Sequence, residues 1–179
     1  RVGIGIFDLC SRQSGNSIFV KRKKELTGRS WPNGCHVAEV EIDAETGEVR
    51  LDRYVSVDDV GNTVNPMIVH GQVQGGIASG LGQAVLERTE YDASGQLLSG
   101  SYMDYALPRA DDMPSLSGSL FEKAPCLTNP LGAKGTGEIG AVAGPPAIVH
   151  AVIDALAEKG ITQVDMPLQP QKIWECLNR

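Results

Sequence analysis

The sequence predicts an α+β fold in which a few packed helices cover strands of mixed or antiparallel direction. Two neighbouring segments alternate between apolar and polar residues, which indicates strands, and two later segments carry apolar residues at helical spacing. These elements do not repeat as regular β–α–β units, which argues against a doubly wound parallel sheet. The 179 residues are enough for one ordinary domain or two small ones, and 41% of them are hydrophobic.

The first predicted elements form a hairpin. Residues 36–43 (HVAEVEID) and residues 49–58 (VRLDRYVSVD) both alternate with the period of a half-buried strand. Between them, residues 44–48 (AETGE) supply a short turn that contains a glycine. We therefore expect two antiparallel strands joined by this turn.

A glycine-rich helix is predicted over residues 70–87, after a loop over residues 58–66. Its apolar residues fall at helical spacing, but four glycines lie among them, and each costs about 1 kcal/mol relative to alanine in a helix. These glycines are Gly75, Gly76, Gly80 and Gly82. Two interpretations stay open. The glycines allow another backbone to pack closely, or they admit a flat ligand with which Gln72 and Gln74 form hydrogen bonds.

A second glycine-dense segment, residues 129–160, carries one acid, Glu138, on a loop that precedes a helix. Pro145 and Pro146 predict the start of this helix, and Gly160 predicts its end. A loop with little side-chain bulk lets backbone amides come close to a large ligand. The carboxylate on this loop is a candidate general base, because burial can shift its pKa.

Shorter patterns predict the remaining elements. Short strands are expected within residues 96–105, 116–122 and 161–166, and a terminal helix is expected over residues 170–177. The N-terminal part of the chain is poorly patterned and holds a weak strand or short helix, a loop and a basic run, KRKK. We therefore divide the chain into an N-terminal segment, residues 1–30, and a main unit, residues 31–179.

Composition excludes several function classes. The net charge of −6 argues against binding to nucleic acid or anionic membranes, because both favour a basic surface. No apolar run approaches the ~20 residues of a membrane-spanning helix. The 4 cysteines are scattered without a CxxC pair, so the sequence predicts free thiols and neither a zinc nor an iron–sulfur site. Free thiols indicate a reducing compartment, and we expect a cytoplasmic protein.

Common catalytic and nucleotide-binding motifs do not fit the sequence. Residues 135–140 (GTGEIG) satisfy G-x-G-x-x-G, but no hydrophobic strand precedes them, and AGPP interrupts the helix that this motif should open. Lys134 does not stand in the order of a phosphate-binding loop, and no G-x-S-x-G elbow is present. His36, His70 and His150 lie far apart, without the spacing expected of metal ligands.

Four unusual segments carry a resemblance to a known family. They read WPNGCHVAEVEIDAETGEVRLDRYVSVDDVGNTVNP, GQVQGGIASGLGQAVLE, SYMDYALPRADDMP and NPLGAKGTGEIGAVAGPPAIVHAVIDAL. In this order they resemble the C-terminal part of the molybdenum-binding subunit of the xanthine dehydrogenase and aldehyde oxidase family. The resemblance runs from Trp31 to the end of the chain. It is strongest to bacterial large subunits of the carbon monoxide dehydrogenase and aldehyde dehydrogenase types.

This resemblance implies a C-terminal molybdopterin-binding domain and the hydroxylation of an aldehyde or N-heterocycle with water as the oxygen source. In the family, a glutamate in the G-x-G-E segment removes a proton from a molybdenum-bound hydroxyl, and Glu138 matches it. A glutamine at the head of the G-Q-x-x-G-G segment contacts the pterin, and Gln72 matches it. Further cofactor-binding positions are expected in the same two segments, at Gly75, Gly76, Lys134, Gly135, Thr136 and Gly137.

The resemblance also implies cofactors and partners. The cofactor is molybdenum–molybdopterin, as the cytosine dinucleotide, with a [2Fe–2S] cluster and FAD on partner domains or subunits. The partners are the rest of the molybdenum subunit, the iron–sulfur and flavin subunits and a small-molecule substrate. Ser79 departs from the family, where glutamine often precedes the second glycine pair of this helix.

The family subunit is several times longer than this chain, which begins at Arg1 rather than at methionine. We therefore expect a fragment of a larger subunit that binds no cofactor and is inactive alone. The alternative is a catalytically silent folded module whose glycine loops pack against nothing.

Overall fold

The computed structural model describes residues 3–15, 17–21, 23, 25 and 28–178, so the basic run at residues 21–24 lies partly outside the described residues. The strands are β1 (Asn33–Ile42), β2 (Val49–Asp59) and β3 (Ser115–Leu120). The helices are α1 (Ile6–Ser11), α2 (Pro66–Leu81), α3 (Ile139–Ala155) and α4 (Pro170–Leu177). A π turn (Gly82–Leu86) follows α2, and short 3₁₀ turns cover Ala110–Asp112 and Ala157–Lys159. This arrangement confirms the predicted α+β class.

The sheet is built around the predicted hairpin. β1 and β2 are antiparallel, with Val37 opposite Val55, and β3 adds to β2 in parallel, with Leu116 beside Tyr54. The sheet order is therefore β1-β2-β3, a mixed sheet. The turn between β1 and β2 contains Gly47 at φ 76°, a left-handed conformation that glycine adopts without steric cost. The hairpin and the strand predicted at residues 116–122 are confirmed.

Helix α2 begins earlier than predicted. It starts at Pro66 instead of His70, and the side chain of Asn65 caps it by accepting a hydrogen bond from the amide of Ile68 at 3.3 Å. Asparagine at the cap and proline in the first turn are both favourable. The loop predicted over residues 58–66 includes both residues, although asparagine followed by proline is typical of a helix start.

Helix α3 also begins earlier, and here the prediction was wrong. It starts at Ile139, directly after Glu138, and Pro145 and Pro146 lie inside it. Each proline removes one backbone donor from the helix, which is normally costly. The first turn nevertheless forms because Ile139 and Gly140 are buried against α2. Tertiary packing therefore overrides the local preference of proline for the helix start.

Four glycines form the contact between α2 and α3. A Cβ at Gly76 would lie 2.8 Å from the Cα of Gly140, and a Cβ at Gly80 would lie 3.0 Å from the Cα of Gly144. A Cβ at Gly140 would lie 2.5 Å from the amide nitrogen of Ile77. No room remains for a side chain, so the two backbones touch at both levels of the crossing. For Gly76 and Gly80, the structure therefore favours helix packing over contact with a flat ligand.

The hydrophobic core fills the space between this helix pair and one face of the sheet. Its fully buried side chains come from every layer and include Tyr54, Ile77, Ile148, Val152, Leu168 and Ile173. Helix α4 has the predicted bounds, with Pro170 in its first turn. Gly160, at φ 72°, ends the 3₁₀ turn that follows α3.

Two predicted strands do not form. In residues 96–105 a single bridge joins Leu97 to Tyr91, and the carbonyl of Ser101 then closes a turn onto the amides of Asp104 and Tyr105. Residues 161–166 have no strand beside them, although Val164 is buried in the core. A short apolar run can reach the core without joining a sheet, and periodicity alone does not distinguish the two cases.

In the N-terminal segment, α1 buries none of its residues. The division of the chain after residue 30 stays a prediction.

The crossing predicts opposite effects for two glycine-to-alanine changes. Gly140→Ala forces a methyl group against α2 and should destabilise the fold by about 1–3 kcal/mol, the usual range for an overpacked core. Gly71→Ala, in α2 with no heavy atom within 4 Å of its Cβ position, should stabilise the fold by roughly 0.5–1 kcal/mol. Urea unfolding of both variants measures the difference. Equal effects of the two substitutions would contradict the packing role of the crossing.

Candidate cofactor-facing site

The helix crossing brings the two sequence-predicted glycine segments together. The side-chain amide nitrogen of Gln72, on α2, is 3.6 Å from the position that a Cβ at Gly137 would occupy. Gly140, three residues further along, packs on Val73 and Ile77 of α2. The loop that carries Glu138 therefore lies beside Gln72. Two residues 66 positions apart in the sequence become neighbours on one surface.

Glu138 is the boundary residue between this loop and α3. Its backbone has φ −110° and ψ −4°, and its carboxylate makes no side-chain cap hydrogen bond to the helix. The residue is exposed, whereas Ile139 and Gly140 directly after it are buried. The carboxylate therefore stands at the start of α3, where a molecule placed against this surface can reach it.

Glycines next to Glu138 and Gln72 are open rather than packed. Among the described residues, Gly75 of α2 and Gly135 of the loop have no packing neighbour within 4 Å of their Cβ positions, and both are exposed. Gly76, in contrast, faces Gly140. The cofactor-binding positions expected from the resemblance therefore divide in the structure. Gly75 and Gly135 lie on an open backbone surface, and Gly76 takes part in the helix crossing.

The loop is attached to the chain segment that continues β2. The amide of Lys134 donates to the carbonyl of Val60 at 2.7 Å, and the amide of Asn62 donates to the carbonyl of Gly132 at 2.9 Å. Gly61, at φ 66°, pairs with Ala133 at this point. A side chain at Gly61 would clash with the carbonyl oxygen of Gly132, so glycine is required for the approach.

Lys134 forms an ion pair at the base of the loop. Its Nζ lies 2.6 Å from Oδ2 of Asp59, and the exposed fractions of the two side chains are only 11% and 12%. The other carboxylate oxygen of Asp59 accepts the amide of Gly61 at 2.9 Å. Burial acts to raise the pKa of Asp59, but the Lys134 ammonium and the Gly61 amide outweigh it and hold this pKa below its ordinary value.

Thr136 lines a shallow groove together with Lys134. The groove has a volume of about 220 Å³, and its lining includes Thr136, Asn62, Thr63 and Ile68. Thr63 Oγ1 is buried there. The hydroxyl of Thr136 therefore borders a partly apolar depression next to the segment that carries Glu138.

A buried polar cluster lies beneath the end of β2, and the sequence analysis missed it. His36 Nε2 is 2.9 Å from Oδ1 of Asp58, His36 Nδ1 is 2.9 Å from the hydroxyl of Tyr54, and Ser56 donates to Oδ2 of Asp58 at 2.9 Å. Burial, with the nearby charge of Asp58, raises the pKa of Tyr54. The strand period could have revealed the cluster, because Tyr54, Ser56 and Asp58 alternate onto the face that β2 buries.

Several other site types receive no support from the part of the chain that the structure describes. There, no group of three or more His, Cys, Asp or Glu side chains is placed to hold a metal ion. The 4 cysteines are free. Within the described ranges, no helix combines the length and the apolar character needed to cross a bilayer.

Comparison with known proteins identifies the family. The family described as "Molybdopterin cofactor-binding domain" matches residues 12–114, more than half of the chain. The carbon monoxide dehydrogenase large chain of Hydrogenophaga pseudoflava is 37% identical over 148 residues, which are 83% of this chain and 18% of that protein. The nicotine 6-hydroxylase large subunit of Paenarthrobacter nicotinovorans is 38% identical over 141 residues, 79% of this chain and 17% of that protein.

The folds agree as well. The crystal structure of quinoline 2-oxidoreductase from Pseudomonas putida 86 superimposes with a TM-score of 0.79 at 40% identity, covering 83% of this chain and 19% of that one. The chain belongs to the molybdopterin cofactor-binding domain family, among the molybdenum-binding subunits of the xanthine dehydrogenase and aldehyde oxidase type. It spans about a fifth of the length of the curated relatives that it matches.

The Lys134–Asp59 ion pair predicts a pH-dependent contribution to stability. A carboxylate whose pKa is lowered by folding stabilises the native state above its unfolded pKa and loses this effect as the pH falls through its native pKa. The wild type should therefore be more stable than Asp59→Asn by the whole of this contribution at neutral pH. The difference in unfolding free energy should decrease once the pH falls below 3.8, the ordinary pKa of an aspartate. Urea unfolding over a pH series measures this difference, and a constant value down to low pH would contradict the assignment.

Proposed function

We propose that this chain supplies the general base and one wall of the cofactor site of a molybdenum hydroxylase. The observation that carries the proposal is that the side-chain amide of Gln72 lies 3.6 Å from the Cβ position of Gly137, the residue before Glu138, and that Gln72 and Glu138 are both exposed. The relatives add support, since they are a carbon monoxide dehydrogenase large chain and a nicotine 6-hydroxylase large subunit. The substrate class that we propose is an aldehyde or an N-heterocycle.

The open backbone at Gly75 and Gly135 supports the proposal that a large flat cofactor lies against this surface. Any side chain at Gly75 or Gly135 would project into open space at the surface beside Glu138, so glycine keeps this space free for a ligand. The donors available here are neutral: the Gln72 amide, the Thr136 hydroxyl and loop backbone amides. A pterin carries ring nitrogens and an oxygen that such groups can recognise by hydrogen bonding.

Each group has a distinct role in the proposed site. When bound, molybdenum–molybdopterin supplies the two-electron redox chemistry. The Glu138 carboxylate accepts the proton of the water molecule whose oxygen enters the product, which is general base catalysis. Gln72 hydrogen-bonds to the pterin and fixes its position relative to this carboxylate. The absence of side chains at Gly75, Gly135 and Gly137 lets the pterin approach the backbone. Gly76 contributes indirectly, because it sets the distance between the two helices.

The complete enzyme holds parts that this chain does not. We propose that the cofactor is the cytosine dinucleotide form, and that a [2Fe–2S] cluster and FAD on partner domains or subunits carry the electrons away. The rest of the molybdenum subunit closes the site over residues 31–179, and the assembly works in the cytoplasm. The isolated chain, which presents one wall of the site, retains no cofactor and is inactive.

Replacement of Glu138 tests this function. In the enzyme assembled with its complete molybdenum subunit, Glu138→Gln should lower turnover by at least about 10²-fold, because the amide cannot accept the proton. Its molybdenum content should remain near that of the wild type, since the side chain makes no helix cap and is exposed. Glu158→Gln, an exposed carboxylate beyond the other end of α3, is the matched control and should leave turnover unchanged.

Unchanged turnover in Glu138→Gln would overturn the role of this residue. Metal analysis and pterin fluorescence of the assembled enzyme separate the hydroxylase from a catalytically silent module. A silent module contains neither molybdenum nor pterin even when the rest of the subunit is present.

A further inference from the structure

Glu138 lies on a short segment that is fixed at both ends. On its C-terminal side, Gly140 is pressed against Val73 and Ile77 of α2. On its N-terminal side, Lys134 is held by Asp59 and by the carbonyl of Val60. Between these attachments the loop consists of Gly135, Thr136 and Gly137, whose glycines give the backbone no steric restraint of their own. The position of the carboxylate therefore depends on both attachments.

We propose that Lys134 is a positioning residue, and that its ion pair with Asp59 holds the segment that presents Glu138 at the reacting water. The proposal rests on the proposed function, because it assigns the task of Lys134 within that site. It differs from the expectation that Lys134 binds the cofactor directly. The ammonium already lies 2.6 Å from Asp59 and only 11% of its side chain is exposed, which leaves little of it for a ligand.

The surroundings of the pair favour this role. Asp59 accepts hydrogen bonds from the Lys134 ammonium and from the Gly61 amide, so one carboxylate joins the loop to the chain that continues β2. The aliphatic part of Lys134 packs at Gly61, with Cγ 3.3 Å from the Cβ position there. Removal of either partner leaves a largely buried charge without its counterion, and such a charge has to move toward water. The backbone hydrogen bond from the Lys134 amide to Val60 would remain, so the loop would be loosened at this end rather than freed, while the helix crossing keeps α3 in place.

The assembled enzyme provides the test, through Asp59→Asn, Lys134→Met and the double variant. Each single variant should lower turnover by about 10²-fold, the usual effect of a small displacement of a catalytic group, and the double variant should be no worse than either single one. Molybdenum and pterin content should stay near that of the wild type in all three. Amide hydrogen exchange, followed by mass spectrometry, should become faster in the peptide that contains residues 135–138.

Arg53→Met is the matched control. Arg53 also lies on β2 and pairs with a carboxylate, Glu39 at 3.6 Å, but both side chains are well exposed, at 68% and 60%. Its loss should change neither turnover nor the exchange of residues 135–138, because exposed pairs contribute little. An ion-pair variant that behaves like this control overturns the proposal.

Two other results overturn the proposal in different ways. If Lys134→Met loses molybdenum and pterin while Asp59→Asn keeps them, Lys134 is a cofactor ligand rather than a positioning residue. If exchange in residues 135–138 stays at the wild-type rate in both variants, the ion pair does not hold the loop. Glu138→Gln distinguishes a failure of the proposed function from a failure of the positioning role of Lys134. Full turnover in that variant overturns the proposed function, whereas the exchange rates still decide whether the ion pair restrains the loop.

Discussion

The direct contact between the backbones of α2 and α3 is the constraint on which the rest of the structure depends. Gly76 and Gly80 on one helix meet Gly140 and Gly144 on the other, at the same four-residue spacing. This contact places the first turn of α3 on α2, and it therefore also places Glu138 beside Gln72. It lets α3 begin before its two internal prolines, and it covers the sheet with two helices packed as one layer. The site is a consequence of this packing rather than a feature added to the surface.

The same residue type has two functions in this molecule, and the structure separates them. Glycines that face the other helix are needed because no side chain fits, whereas Gly71, Gly75 and Gly135 have open space around their Cβ positions. A packing role explains the first group completely. It does not explain the second group, since alanine would be the better helix residue at Gly71 and Gly75 of α2 and nothing packs against Gly135 of the loop. The open glycines are therefore the part of the pattern that favours a ligand.

Much of the fold could be predicted because local and long-range preferences agree. The hairpin follows from strict alternation around a glycine turn, and α4 follows from an isolated amphipathic segment after Pro170. The start of α3 could not be predicted from local preference, because its first turn depends on burial against a helix more than 60 residues earlier in the sequence. The candidate base and the glutamine were both predicted from the sequence and its resemblance to a family, and their roles stay predictions. The attachment of Lys134 to Asp59 was not, since it joins residues 75 positions apart.

The crossing also limits how this protein can tolerate change. In most packed cores, a side chain that grows on one element can be accommodated by one that shrinks on its neighbour. At the two levels where α2 meets α3, a larger side chain on one helix cannot be offset by a smaller one on the other, because both partners are already glycines. A compensatory second substitution within the contact does not exist. Any suppressor has to act by stabilising the fold elsewhere or by letting the helices separate, and separation would move the carboxylate at the head of α3 away from its glutamine neighbour.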